Sequence, residues 1–119
     1  PINVFNGKVQ DGKLYIGENA VLDVNGVDNQ NVTVAIRPEG FTLEENGPLV
    51  CELSNVEVMG RDVSIVSRHE SSVNPIIRSI INADNKVDLA AQTVRYSIKP
   101  HKFFLFNKET EERIRYEVK

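Results

Sequence analysis

Apolar and polar residues alternate along much of this chain, and the alternation predicts strands. In "VTVAIR", Val32, Val34 and Ile36 alternate with Thr33, Ala35 and Arg37. In "TVRYSI", Val94, Tyr96 and Ile98 alternate with Thr93, Arg95 and Ser97. Both read as strands with one face buried and one wet. In "DVSIVSR", Val63 and Ile65 alternate with Ser64, and Val66 follows, so one end is buried on both faces. The run "LVCELSNVEVM" changes parity: Leu49, Cys51 and Leu53 share one, Val56 and Val58 the other. A strand that keeps one face buried must gain a residue near Ser54-Asn55, the trace of a β-bulge. Small barrels use such bends to turn corners.

Turn signals separate the runs. "QDGK" (10–13) predicts a tight hairpin centred on Asp11-Gly12. "VNGVDNQN" (24–31) and "EENGP" (44–48) are polar connections, Met59-Gly60-Arg61-Asp62 is a tighter turn, and "NADNK" (82–86) closes the next run. Turns at about 8–12-residue spacing indicate a sandwich or barrel. In "PIIRSIIN", Ile76, Ile77, Ile80 and Ile81 suit a helix face as well as a strand. The β-branched density and Pro75 favour the strand. The charged "KETEERIRYEVK" either frays or pairs as a last strand.

"VAIRPEGFTL" (34–43) starts as a strand and is interrupted at Arg37-Pro38-Glu39-Gly40. Pro38 cannot donate to a ladder and belongs at a strand end. Gly40 lets the backbone turn. Arg37 and Glu39 share a side of an extended backbone and are close enough to pair, which gives a rigid corner with a surface ion pair.

A chain of 119 residues fits one domain, spanning 1–119, that can bury a core without staples. With 40% hydrophobic and 26% charged residues, it has the balance of a soluble globular protein. Its single cysteine, Cys51, excludes an internal disulfide, a CxxC redox pair and a zinc knuckle, and fits a reducing, cytoplasmic setting. No apolar run approaches the length of a membrane span, and no signal peptide is visible. The start at Pro1 rather than Met suggests a fragment. The net charge of −3 argues against nucleic acid as the main partner. Residues 1–60 carry three basic and nine acidic side chains, a balance of −6, and residues 61–119 carry eleven and eight, a balance of +3. A sheet that interleaves the halves mixes these charges.

The sequence lacks a GxxxxGK[ST] phosphate loop, a GxGxxG and a GxSxG. His69 and His101 stand 32 positions apart with no metal-ligand spacing. Glu44-Glu45 reads as a solvated turn rather than an acid–base pair. Ser71 and Ser72 beside His69 do not form a triad motif. Cys51 reads as a small apolar filler. Phe103, Phe104 and Phe106, with Leu105 among them, read as a core strand rather than a base-stacking platform. No catalytic, cofactor-binding or metal-binding residue is assigned, and a binding or interaction module outranks an enzyme.

Four segments, in order, resemble one family. "PINVFNGKV", through Pro1, Asn3, Phe5 and Gly7, is similar to the Pro-x-x-Asn-Phe-x-x-Gly entry that follows the nucleotide-binding domain of ATP-binding cassette (ABC) import ATPases, with a departure in spacing: Val4 separates Asn3 from Phe5, where the family has Asn directly before Phe. "VAIRPEGF" resembles their Gly-Ile-Arg-Pro-Glu-His signature. "VEVMGRDVSIV" resembles their Val-Glu-x-x-Gly-x-x-x-x-Val hairpin. The stretch 87–114 resembles their closing segment through Thr93, Val94, Ile98, Pro100, Phe106, Thr110 and Arg113. Together they cover nearly the whole chain. The resemblance is to the C-terminal TOBE domain (transport-associated oligonucleotide/oligosaccharide-binding fold) of a sugar-type importer ATPase.

That resemblance implies an all-β fold, a small OB-fold-like barrel of the TOBE and MOP-like type. It marks Arg37, Pro38, Glu39, Gly60, Pro100, Phe106 and Arg113 as family-motif and interface residues. It implies a non-catalytic regulatory and dimer-contact domain without its own cofactor, ATP and Mg being bound by a nucleotide-binding domain outside this chain. The implied partners are a second ATPase subunit, a regulatory protein or small effector, and, through the other domain, transporter membrane subunits, with no nucleic acid. The implied location is cytoplasmic, at the inner face of the cell membrane. The sequence departs from the pattern at Asn107 (Asp in the family), Glu111 (Gly), and Ala90 and Gln92 (Gly-Asp), and 67–75 aligns with no motif. The alternative is a stand-alone OB-fold module that binds oligosaccharide or single-stranded nucleic acid.

Overall fold

The computed structural model describes residues 2–84, 87–88 and 90–118. Pro1 of the entry motif, Asn85 and Lys86 of the 82–86 turn, and Leu89 lie outside them. The described residues form twelve strands: β1 (Asn3–Gln10), β2 (Lys13–Ile16), β3 (Asn19–Asn25), β4 (Gln30–Ile36), β5 (Phe41–Leu43), β6 (Leu49–Met59), β7 (Asp62–Arg68), β8 (Ile77–Asn82), β9 (Thr93–Ile98), β10 (Phe103–Asn107), β11 (Arg113–Ile114) and β12 (Glu117–Val118). One sheet has the order β11-β10-β4-β1-β2-β3-β12 and the other β5-β9-β6-β7-β8. The fold is all-β, with the sheets curled into a nearly closed, OB-like barrel.

Local sequence accounts for most elements. The β1–β2 hairpin closes through Asp11 (φ 51°) and Gly12 (φ 77°), the left-handed pair that a two-residue turn of matching twist requires. The β6–β7 register shifts between Leu53 and Asn55, where the parity change predicts a bulge. Beyond it Val56 faces Ile65 and Val58 faces Val63, but Val56 is only half-buried and Val58 is 73% exposed, so the bulge is present without keeping that face buried, because β6 has no β9 partner there. Segment 77–82 is a strand paired with β7, so the strand alternative holds for "PIIRSIIN". The charged C-terminal segment pairs twice, β11 on β10 and β12 on β3. Strands from both ends of the chain therefore share one sheet, and the charge halves are interleaved.

Two seams join the sheets. At the first, the chain leaves β4 and turns through a 3-10 turn at Pro38–Gly40 into β5. Here two expectations fail. Arg37 and Glu39 form no ion pair, because a 3-10 turn rotates successive side chains by about 120° and sends them apart. Gly40 is required by space rather than by φ. A Cβ there would lie 2.9 Å from Ile36 Cγ2 and 3.0 Å from the Lys102 carbonyl oxygen, and the Gly40 carbonyl accepts from Lys99 N–H (2.8 Å).

At the second seam, segment 71–73, which matches no motif, runs beside the first half of β1. Asn6 N–H donates to Ser71 O (2.8 Å) and Val73 N–H to Val4 O (2.8 Å). The Asn3 side chain then crosses to the other sheet. Its Nδ2 donates to Ile36 O (3.1 Å) and Arg78 O (2.9 Å), and its Oδ1 accepts from Arg78 N–H (2.9 Å). Asn3 is buried and serves as an extra peptide group between β1 and β8. Two more residues of the entry motif have structural work: Phe5 is fully buried in the core, and a Cβ on Gly7 would meet the Tyr15 carbonyl oxygen at 2.6 Å.

The core between the sheets is one cluster that includes Phe5, Leu14, Ile36, Phe41, Leu49, Ile65, Ile77, Tyr96 and Leu105. Tyr96 is its largest fully buried side chain, and its hydroxyl bonds Ser79 Oγ at 2.8 Å. Replacing Asn3 by Ala strands the N–H and C=O of Arg78 at the seam. We expect a loss of about 2–4 kcal/mol in urea-unfolding stability. A loss no larger than that of an exposed-site Ala variant would show that the seam does not need the bridge.

Candidate functional site

Strand parity defines an outer face on the seven-stranded sheet. Phe5 and Val9 of β1, Val32, Val34 and Ile36 of β4, and Phe103 and Leu105 of β10 point into the core. Their neighbours Asn6 and Lys8, Thr33 and Ala35, and Phe104 and Phe106 therefore point outward. The cross-strand pairs Phe104↔Ala35, Phe106↔Thr33 and Phe106↔Arg113 set them side by side. The Phe103–Phe106 run is a core strand through Phe103 and Leu105, while alternation leaves Phe104 and Phe106 half-buried on the outer face.

Phe104 is the platform of this face. The Arg113 guanidinium carbon stands 5.0 Å from its ring centroid and that of Arg37 stands 5.8 Å away. On the same face Lys8 Nζ lies 5.3 Å from the Tyr15 ring centroid, and Lys108 donates to Asn6 Oδ1. Among the described residues, ion pairs are Lys13–Asp23 (2.9 Å) and Arg68–Glu52 (3.8 Å), and none involves Arg37, Arg113, Lys8 or Lys108. The guanidinium groups are thus held against aromatic surface, exposed, and without a carboxylate partner. A cleft of about 200 Å³ continues the face past β11, lined by His101, Phe104, Arg113, Arg115 and Tyr116 among others. Its floor is fixed by Tyr116, which stacks on Phe103 (centroids 4.4 Å apart) and donates to the Phe103 carbonyl. Burial raises the Tyr116 phenol pKa.

Of the seven marked residues, the fold brings three together here: Arg37, Phe106 and Arg113. Pro38 and Glu39 occupy the neighbouring corner, Pro38 buried and Glu39 exposed. Pro100 sits in the β9–β10 turn, where Lys102 N–H donates to Lys99 O (3.2 Å). Gly60, with φ 66°, closes the β6–β7 hairpin, whose tip exposes Val58 and Met59. Sequence reasoning missed Phe104, although its parity relative to Leu105 was a usable signal.

The other chemically capable side chains are arranged for structure. His69 packs edge-on against Phe5, and its Nδ1 accepts from Ser71 N–H (3.0 Å). Burial lowers its pKa against a smaller opposite effect of Glu70. Ser72 Oγ donates to Asn74 O, so His69, Ser71 and Ser72 do not form a relay. Glu44 and Glu45 are exposed beside a cavity of about 520 Å³ that also contacts Leu43, Leu53 and Arg95. Among the described residues no group of three or more His, Cys, Asp or Glu is placed to hold a metal ion, and no helix is long and apolar enough to cross a membrane. Burial pushes the Cys51 thiol and the Tyr96 phenol each up to about 12. The buried Ser67 hydroxyl beside them favours their ionised forms slightly without completing a hydrogen bond.

No protein-family model matches this chain, and no curated protein matches it.

Two measurements follow. In a double-mutant cycle of Arg37→Gln and Phe104→Leu, urea curves should give a coupling of about 0.5–1 kcal/mol. A coupling indistinguishable from zero would mean that the ring does not hold the guanidinium. Cys51 and Tyr96 ionise less readily when folded than when unfolded. The stability they contribute is complete below the ordinary thiol value of 9.0 and is lost as pH rises toward about 12, by up to about 1.4 kcal/mol per pH unit for each group. Cys51→Ala should flatten the part of this decline that begins near the thiol value. An unchanged alkaline limb would refute the assignment.

Proposed function

We propose that this chain is a non-catalytic accessory barrel of the TOBE type, the C-terminal domain of an ABC import ATPase. In this reading it contributes to contact between two ATPase subunits and receives regulatory input, while the parent protein couples ATP hydrolysis to uptake of a solute, a sugar by resemblance. ATP and Mg belong to the nucleotide-binding domain, and the membrane subunits are reached through that domain. The setting is the cytoplasmic face of the membrane.

The geometry of the β10–β11 hairpin is the observation that supports this reading best. Asn107 Oδ1 accepts from the backbone N–H groups of Glu109 (2.9 Å) and Thr110 (2.8 Å), and Glu111 stands in the left-handed region at φ 63°. A turn of this shape calls for an Asx oxygen at its first position and favours glycine at its left-handed one. The family's Asp-x-x-Thr-Gly supplies both. The two departures therefore leave the turn intact. Asn107 keeps the capping oxygen and uses its Nδ2 to donate to Gln30 Oε1 (2.8 Å), while Glu111 adopts the glycine conformation at some cost in strain. Asn3, Phe5 and Gly7 of the entry motif likewise occupy positions where the barrel needs those residues.

The gene sequence upstream of Pro1 is the direct test. A Walker A lysine, a signature motif and a Walker B acid are expected within about 150–200 residues, the span of a domain of that kind. A different upstream domain, or a start codon immediately before Pro1, would overturn the proposal. The purified 119-residue chain is expected to show no ATP turnover above the buffer rate, and measurable turnover would also overturn it.

A further inference from the structure

We propose that the outer face around Phe104 docks an acidic protein segment, with Arg37 and Arg113 as its carboxylate receptors. The inference stands on the geometry of the face and does not require the transporter reading. Both guanidinium groups lie against one aromatic ring, at 5.8 and 5.0 Å, and both are exposed. Among the described residues neither has a carboxylate within ion-pairing distance. An arginine held on a ring has lost part of its rotamer freedom before any partner arrives, so less remains to be lost on binding. Its fork of donors matches a carboxylate in two parallel hydrogen bonds. Lys8 and Lys108 extend the positive surface along β1, and Arg115 extends it along the cleft beyond β11.

The same surroundings favour an acidic peptide over a nucleic acid. A single strand needs a continuous basic groove and ring faces open for stacking. Here guanidinium groups already stand over the Phe104 ring, so its face is not open for a base. Lys13 lies on the same face but is neutralised by Asp23, so it serves as an internal control.

The test is fluorescence anisotropy of the full chain with a labelled hexaglutamate peptide at low salt. A dT12 oligonucleotide and inorganic phosphate serve as competitors, and sedimentation is run in parallel. We expect saturable peptide binding that weakens as salt rises. It should fall at least about tenfold, or about 1.4 kcal/mol, in Arg37→Gln/Arg113→Gln, and stay within about twofold in Lys13→Gln. Cooperative urea unfolding, with midpoints lowered only by the loss of the ring contacts, verifies that the variants fold. NMR shifts on peptide addition should centre on Phe104, Arg113 and Arg37, which gives a readout independent of the variants. Absence of peptide binding, binding indifferent to the double variant, or shifts confined to the five-stranded sheet would each overturn the proposal. So would tighter binding of the oligonucleotide, which assigns the face to nucleic acid, equal competition by phosphate, which reduces it to a simple anion site, or loss of self-association in the double variant, which assigns it to a second copy of the chain.

Discussion

Closure of this barrel depends on a side chain acting as backbone. Curled sheets that approach at a seam leave peptide groups short of partners, and a buried unpaired N–H or C=O costs at least as much as an ordinary hydrogen bond contributes. Asn3 supplies the missing acceptor and two donors in one planar amide, reaching Arg78 across 75 positions of sequence. Because β8 hangs from β7, and β7 from β6, this clamp fixes where the second sheet meets the first. The segment at 71–73 completes the same seam by pairing with the first half of β1.

With the seam set, the interior tolerates some polarity. Tyr96, Ser79, Ser67 and Cys51 lie together in an otherwise apolar core. The phenol is satisfied by Ser79, and the thiol is held neutral by burial. Nothing here is arranged for a thiolate nucleophile, which would need a depressed pKa and access to solvent. The bulge in β6 has the complementary role outside. It carries β6 past its pairing with β9, so beyond the bulge β6 pairs with β7 alone.

The outer face depends on the same scaffold. β4 lies between β1 and β10, so the residue that leaves its end, Arg37, falls beside Phe104, and the short β11 delivers Arg113 to the same ring. The 3-10 corner makes this arrangement by turning Glu39 away from Arg37.

Strand parity, the Asp11-Gly12 hairpin, the bulge near Ser54-Asn55 and the burial of Cys51 were all legible in the sequence, because each rests on neighbours a few positions apart and on the strict two-residue period of a strand. The same period marked Phe104 as facing away from Leu105. It could not say whether that outside was solvent, a second layer or a cluster of cations. The clamp from Asn3 to Arg78, the spatial demand at Gly40 and the meeting of Arg37 with Arg113 join positions tens of residues apart. Only tertiary structure decides such contacts, since they follow from how the sheets curl and close and not from any preference the local chain carries.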